Sequence, residues 1–169
     1  MFVVFCALVV LDVVGLTPRL PRLRVASIAA ARPLHMTYRM AASIDLGLYR
    51  VLRLEATAPP AAMVEALNRH QPEFLYAYGS VLGLLAAEQL DGRLRISPAI
   101  IASSGETHTG ELRDAVRAAW GTSSFELYAM TEAGILGSHC DRHTGIHLFE
   151  DQAIVEVVDE AGRPVAAGQ

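Results

Sequence analysis

Short apolar segments alternate with amphipathic ones along most of the chain. Five β-prone apolar segments predict strands, at residues 25–30, 49–54, 74–78, 98–103 and 125–130. Four stretches between or after them predict helices, at residues 34–47, from Pro59 onward, at 81–90 and from Thr109 to Gly121. Strand and helix therefore alternate, which is the rhythm of β-α-β units with parallel strands.

The helix after Thr109 has the clearest pattern. Its apolar residues recur at i, i+3, i+4, i+7 and i+8, namely Leu112, Ala115, Val116, Ala119 and Trp120. Thr109 is a candidate N-cap, Glu111 complements the helix dipole, and Gly121 ends the helix.

The periodicity changes near the carboxyl end. Residues 147–159 show no helical period, and residues 159–164 predict a turn between strands. We therefore expect an α/β fold with a mainly parallel sheet and alternating helices, followed by a C-terminal β-hairpin. Three portions are expected: an apolar N-terminal segment (1–23), an α/β portion (24–145) and a hairpin portion of the same domain (146–169).

Composition narrows the functional classes. The chain has 169 residues, 52% of them hydrophobic, with a mean hydropathy of +0.31, which is enough for one good core. A formal net charge of −4 argues against nucleic acid as a partner. All 14 basic residues are arginines, so Schiff-base chemistry and a phosphate-loop lysine are excluded within this chain.

The two cysteines and the N-terminal segment bear on location. Cys6 and Cys140 lie far apart and form no disulfide framework, so a reducing cytoplasm is expected. Residues 1–16 are apolar, but Asp12 interrupts them and no basic region precedes them. We expect this segment to pack rather than to span a membrane; the alternative is an export signal cleaved near residues 29–31.

Small polar residues follow three of the predicted strands, at residues 79–80, 103–106 and 131–132. The carboxyl ends of parallel strands meet at one edge of a sheet, where ligands of open α/β sheets bind. Three such ends in consecutive units predict a crevice for a polar ligand.

The last of these ends carries the most specific chemistry. Tyr128 offers a flat face for a base, Thr131 a hydroxyl for a phosphate oxygen, and Glu132 an oxygen ligand for Mg²⁺. The alternative interpretation is an ordinary strand followed by a polar turn.

Residues 128–132, Tyr-Ala-Met-Thr-Glu, resemble the aromatic-Gly-x-Thr-Glu signature of adenylate-forming enzymes, the acyl- and aryl-CoA ligases and their relatives. Residues 103–106, Ser-Ser-Gly-Glu, occupy the place of that family's Gly-Gly-Glu-type turn, one strand earlier. Residues 145–165 are similar to the phenylacetate-CoA ligase branch in particular. The resemblance runs from about residue 24 to the last residue.

The resemblance implies a nucleotide site. Tyr128 would stack on adenine, Thr131 would bind the α-phosphate, and Glu132 would hold Mg²⁺ against the phosphates. The other residues implied in nucleotide binding are Ser103, Ser104, Gly105, Glu106, Ala129 and Met130.

It also implies an acyl pocket at Tyr78, Gly79 and Ser80, and a two-step reaction. A carboxylic acid attacks the α-phosphate of ATP, pyrophosphate leaves, and the CoA thiol then displaces AMP from the acyl-adenylate. ATP, Mg²⁺ and CoA are thus the implied cofactor and co-substrates, and small molecules the implied partners.

The chain departs from the family pattern in informative ways. Ala129 and Ser104 stand where the family has glycines. The family's Ser/Thr/Gly-rich phosphate loop is missing from residues 1–23, and its ribose-binding aspartate and catalytic lysine are expected beyond Gln169. We therefore expect a fragment of the large domain that does not turn over alone.

Cys140 and His147 form a second candidate, a zinc site. Thiolate and imidazole ligands share tetrahedral Zn²⁺, and His139 or His143 could contribute. The alternative is an ordinary cysteine beside surface histidines. The remaining histidines, His35, His70 and His108, are interpreted as isolated surface or helix-start residues.

Two other classes remain open. One is a non-catalytic, flavodoxin-like nucleotide-binding or interaction module. The other is a degraded gene remnant whose exposed sheet edges make it unstable or oligomeric.

Overall fold

A seven-stranded mixed sheet is the frame of the molecule. It is seen in a computed structural model that describes residues 22–30, 47, 49–140, 142 and 145–165. The strands are β1 (Arg24–Ala29), β2 (Arg50–Glu55), β3 (Phe74–Ala77), β4 (Ile100–Ser104), β5 (Ser124–Met130), β6 (Gly134–Ser138) and β7 (His147–Leu148). The helices of the described part are α1 (Pro60–His70), α2 (Gly79–Leu90) and α3 (Gly110–Trp120).

The strand order is β2-β1-β3-β4-β5-β6-β7. The first five strands in this order are parallel, and β6 and β7 are added antiparallel to them. The predicted α/β class with a mainly parallel sheet is confirmed. Of the predicted elements, the apolar segment 1–16 and, apart from Gly47, the helix 34–47 lie outside the described residues.

The helix ends follow the local sequence. Pro60 occupies the first turn of α1, where its missing N–H costs nothing, and Gln71 ends α1 in a left-handed conformation with φ 52°. The Thr109 hydroxyl caps α3 by accepting the Leu112 N–H at 3.2 Å, and Gly121 ends α3 at φ 69°, as predicted. None of the described helices is long and apolar enough to cross a membrane.

The core lies on both faces of the sheet. The three helices pack on one face, where the fully buried side chains include Ile28, Met63, Leu67, Leu75, Leu82, Leu85, Ile101 and Val116. The other face buries Val25, Phe74, Ala102, Leu127 and Ile135. Burial on both faces explains why the strands are nearly continuous apolar segments.

The sequence patterns did not predict one strand of the sheet, β6. All five residues of β6 are buried, but its sequence Gly-Ile-Leu-Gly-Ser has little β propensity. Gly137 is needed there because a Cβ at this position would lie 2.5 Å from the His147 carbonyl oxygen. The turn after β5 therefore leads into a buried antiparallel strand rather than into a loop.

The C-terminal hairpin is small. Val158 bridges Pro164, and the Asp159 N–H donates to the Arg163 carbonyl at 2.9 Å. The Asp159 carboxylate also accepts the Arg163 backbone N–H at 2.9 Å, which holds the pKa of this carboxyl below its usual range. Before this turn, Ile154 is 95% and Val157 65% exposed, so residues 154–158 contribute little to the described core, whereas Phe149 packs against its second cluster.

Candidate functional site

The carboxyl ends of β3, β4 and β5 lie side by side at one edge of the sheet. Ala77 pairs with Ser103, and Ser103 pairs with Glu126 on the next strand. Because these strands are parallel, the segments that follow them emerge at the same edge. The three polar strand ends predicted from the sequence are therefore neighbours.

Hydroxyl groups at the end of β4 are engaged within the protein. Ser104 Oγ lies 2.5 Å from Tyr76 Oη, and Ser103 Oγ lies 2.8 Å from His108 Nδ1. Both serines are buried. Burial raises the pKa of Tyr76 to about 12, so its phenol stays protonated at neutral pH. The side chains of Ser103 and Ser104 thus hold the strand end in place, and what faces solvent here is the turn at Gly105.

Glu106 connects this turn to the next helix. Its carboxylate accepts the Ser80 backbone N–H at 2.6 Å and the Ser80 hydroxyl at 2.9 Å. Ser80 belongs to the first turn of α2, which begins at Gly79, two residues earlier than predicted. Glu106 therefore satisfies a helix N-terminus, where a carboxylate is favoured by the exposed N–H groups and the dipole.

Tyr78, Gly79 and Gly105 follow the ends of β3 and β4 and are closely packed. Gly105 has φ 80°, and a Cβ built on it would lie 3.4 Å from Tyr78 Cε1, so the ring packs against the turn. The Tyr78 hydroxyl accepts the Ala30 N–H at 3.1 Å. A Cβ at Gly79 would lie 3.0 Å from Leu112 Cδ2, so this glycine allows α2 and α3 to approach closely. The predicted acyl-pocket residues Tyr78, Gly79 and Ser80 are thus at the edge and tightly held.

The end of β5 is exposed instead. Tyr128 is 47% and Met130 43% exposed, and Thr131 and Glu132 are exposed in the turn that joins β5 to β6. Ala129 lies on the other face of the strand and contacts the second core cluster. An aromatic ring, a hydroxyl and a carboxylate therefore face solvent at the same edge as Gly105.

A buried polar cluster lies on β4, β5 and β6, and sequence reasoning missed it. His108 is only 5% exposed, so its interpretation as an isolated surface residue was wrong, although it does lie at a helix start, directly before the N-cap Thr109. Its Nδ1 lies 2.8 Å from Ser103 Oγ and its Nε2 2.8 Å from Ser124 Oγ, which ties β4 to β5. No local pattern marks such a residue, because its partners come from two different strands.

His139 extends this cluster to β6. Its Nδ1 lies 3.4 Å from the Glu126 N–H nitrogen and its Nε2 3.5 Å from the Glu126 carboxylate. A neutral imidazole with its proton on Nε2 fits both contacts. The rings of His139 and His108 are 5.9 Å apart between centroids. The cluster therefore fixes the positions of β4, β5 and β6 relative to one another.

The candidate metal ligands are few in the described part of the chain. Within the described ranges, no group of three or more His, Cys, Asp or Glu side chains is placed to hold a metal ion. Glu132 offers one exposed carboxylate, which suits Mg²⁺ when phosphate oxygens supply the other ligands. Of the residues named for the predicted zinc site, Cys140, His147 and His139 lie in the described part, where the His139 ring contacts Glu126, and His143 lies outside it. That site stays a prediction.

The fold and this edge define a class of architecture: an open α/β sheet with exposed polar residues at the carboxyl ends of its central strands. Scans against family models and curated proteins find no match. Among solved structures, 2-hydroxyisobutyryl-CoA ligase in complex with 2-HIB-AMP and CoA matches at TM-score 0.79 and 20% identity, over 99% of this chain and 38% of that one.

Two further matches are of related kinds. The amide bond synthetase McbA from Marinactinospora thermotolerans matches at TM-score 0.71 and 17% identity, over 99% of this chain and 35% of that one. The anthranilate CoA ligase AuaEII in complex with anthranoyl-AMP matches at TM-score 0.67 and 14% identity, over 99% of this chain and 33% of that one. The chain therefore has the expected fold, that of part of an adenylate-forming ligase, and it spans well under half the length of these structures.

Proposed function

We propose that this chain is the nucleotide-binding portion of an AMP-forming acid–CoA ligase. The observation that carries the proposal is the exposed end of β5, where Tyr128, Thr131 and Glu132 face solvent at the sheet edge that also carries the Gly105 turn after β4. The same fold in a ligase crystallised with an acyl-AMP and CoA supports it. Residues 145–165 support the finer assignment to the phenylacetate-CoA ligase-like branch through their resemblance to it.

Adenine would stack on Tyr128. The ring is half exposed on strand β5, and an aromatic side chain loses little conformational freedom when a base stacks on it. Gly105 lies on the neighbouring strand end with an exposed backbone and no side chain to block a planar base. Met130, also exposed, would add apolar contact.

Thr131 and Glu132 would serve the phosphates. The Thr131 hydroxyl would donate to an α-phosphate oxygen, and Glu132 would supply the carboxylate for a Mg²⁺ bound mainly by the nucleotide. When bound, the metal would neutralise charge on the phosphates. The contribution of this chain is to place the α-phosphate next to the acyl pocket around Tyr78.

The complete reaction needs more than these residues. The carboxylate of the substrate acid would attack the α-phosphate and release pyrophosphate, and CoA would then displace AMP. This chain contains no lysine, so any ammonium group for the reaction has to come from another part of a longer protein. We propose that the chain binds nucleotide and does not catalyse alone.

Titration of the isotope-labelled chain with AMP, followed by amide NMR, tests the proposal. We expect shifts at Gly105, Tyr128 and Thr131, and Tyr128→Ala weakens AMP binding about tenfold, because stacking of a base on an aromatic ring is worth roughly 1–3 kcal/mol. Leu148→Ala is the matched control: an exposed apolar side chain on β7, removed without effect on binding. Equal affinities of the Tyr128 variant and the wild type would overturn the assignment.

A second titration, with Mg²⁺, tests the role of the Glu132 carboxylate independently of the Tyr128 ring. We expect Mg²⁺ to strengthen ATP binding to the wild type and not to Glu132→Gln, while AMP binding without metal stays the same in both. If ATP binds and no acyl-adenylate or pyrophosphate appears even in a longer chain with the flanking segments, the non-catalytic binding module is favoured instead.

A further inference from the structure

A second concave site lies at the opposite edge of the sheet. It is formed between the end of α1 and the amino-terminal ends of β1 and β2, and its cavity volume is about 600 Å³. The residues that give it character are Arg24, Arg50, Arg69, His70 and Gln71. Three arginines therefore line one cavity, far along the strands from Tyr128 and Glu132.

Two of these arginines are direct cross-strand neighbours. Arg24 on β1 pairs in register with Arg50 on β2, so their side chains stand next to each other on the same face. Like charges in this arrangement destabilise a sheet. Repulsion of this kind is relieved by an anion bound between the two side chains.

The nearby carboxylates neutralise this charge only in part. Glu73 lies 3.6 Å from Arg24, and Glu65 lies 2.5 Å from Arg69 in a pair that is 74% exposed on both sides. Neither glutamate lines the cavity. Among the residues that the structure describes, no carboxylate forms an ion pair with Arg50.

The positive charge is local. The whole chain carries a formal charge of −4, so a cavity with three arginines is not a by-product of a basic composition. Arg69 and His70 also complement the C-terminal end of the α1 dipole, but Arg24 and Arg50 belong to the strands and have no such role. A cleft lined by one sign of charge raises the local concentration of counter-ions.

The rim of the cavity is fixed in advance. The Arg24 Nε–H donates to the Gln71 carbonyl at 2.6 Å, and the Gln71 side-chain amide donates to the carbonyls of Asn68 and Arg95. His70 Nε2 lies 3.1 Å from the Val25 carbonyl oxygen. Burial and the neighbouring arginines hold the pKa of His70 below its usual value, so the imidazole acts here as a neutral hydrogen-bonding group.

We propose that this arginine pocket binds a phosphate-bearing small molecule through its dianionic phosphate group. Guanidinium groups match phosphate oxygens in pairs, and Arg50, which lines the cavity beside Arg24, has no carboxylate partner among the described residues. The cavity volume falls within the range of small-molecule sites, so there is room for an organic group attached to the phosphate. This site is separate from the proposed nucleotide site.

Titration with inorganic phosphate and with AMP at constant ionic strength, followed by amide NMR, tests the pocket. We expect phosphate to shift Arg50, Leu52 and Gln71, and Arg50→Gln to weaken its binding about tenfold through loss of a charge-assisted hydrogen bond. The matched control is Arg53→Gln, on the same strand but on its other face, which leaves phosphate binding unchanged.

Thermal melting provides a second readout. Arg50→Gln is expected to fold, because it removes a like-charge contact, and phosphate raises the Tm of the wild type and of Arg53→Gln more than that of Arg50→Gln. Equal phosphate affinity of Arg50→Gln and the wild type, or no shift in this pocket at all, overturns the inference. Shifts only around Gly105 and Thr131 also overturn it, while they support the proposed nucleotide site.

Discussion

The ends of β4 and β5 are adjacent, polar and similar in sequence signal, but the structure uses them differently. At the end of β4, Ser103, Ser104 and Glu106 all bond to other parts of the chain. At the end of β5, Tyr128 and Glu132 face solvent. The polar side chains at the β4 end bond within the protein, and those at the β5 end remain accessible to a ligand.

This difference separates the residues that hold the edge in place from the residues that face solvent. A ligand site is most effective when its groups are held by partners that are themselves fixed. The bonds at β4 position the Gly105 turn, and the buried histidines fix β5 beside it. Substitutions at the β4 end should therefore reduce stability, and those at the β5 end should reduce binding.

The largest effect is expected at His108. Its replacement by alanine leaves the hydroxyls of Ser103 and Ser124 buried without their partner and opens a cavity between β4 and β5, at a cost of about 3 kcal/mol in the free energy of unfolding. Urea unfolding measures it. Glu150→Ala, at an exposed position just after β7, serves as the control and stays within about 0.5 kcal/mol of the wild type.

A smaller difference in stability is expected between alanine variants of two glutamates at this edge, Glu106 and Glu132. Glu106→Ala removes the two bonds to Ser80 at the start of α2 and is expected to cost about 1–2 kcal/mol. Glu132→Ala is expected to leave stability within about 0.5 kcal/mol of the wild type and to lose the Mg²⁺ dependence of ATP binding. Equal destabilisation by both substitutions would contradict the division between the two ends.

Much of this fold was predictable because it depends on local patterns. The apolar segments gave five strands close to their observed bounds, and the Thr109 cap and Gly121 stop gave α3. The strand β6 was missed because its burial comes from its neighbours, and Gly137 marks a close contact with β7 that no local pattern contains.

The edge was predictable only in part. Alternation of strand and helix placed the three polar ends together, since parallel strands share an edge. It could not distinguish the engaged Glu106 from the exposed Glu132, because Ser80, the partner of Glu106, is 26 residues away in the chain. The arginine pocket was missed for the same reason: Arg24 and Arg50 become neighbours only through the strand register.

The smallest effect at neutral pH concerns Tyr76, whose hydroxyl bonds to Ser104 at the β4 end. Tyr76→Phe is expected to cost about 0.5–1 kcal/mol at pH 7, the value of one hydrogen bond. Because the folded-state pKa of Tyr76 is about 12 and the unfolded value about 10, the unfolded chain loses this proton first as pH rises. Wild-type stability is therefore intact below pH 10 and declines between about pH 10 and 12.

Because of this decline, Tyr76→Phe should become more stable than the wild type at high pH. Tyr76→Phe has no phenol at this position to ionise. Its lower free energy of unfolding therefore approaches that of the wild type above pH 10 and exceeds it towards pH 12. The chain has no lysine to titrate in this range, and Tyr49, whose pKa is also raised by burial, contributes equally to both proteins. Urea midpoints measured across this range test the expectation, with Tyr128→Phe at the exposed end as the control that follows the wild type. A constant difference between Tyr76→Phe and the wild type would mean that the β4 end is as open to solvent as the β5 end.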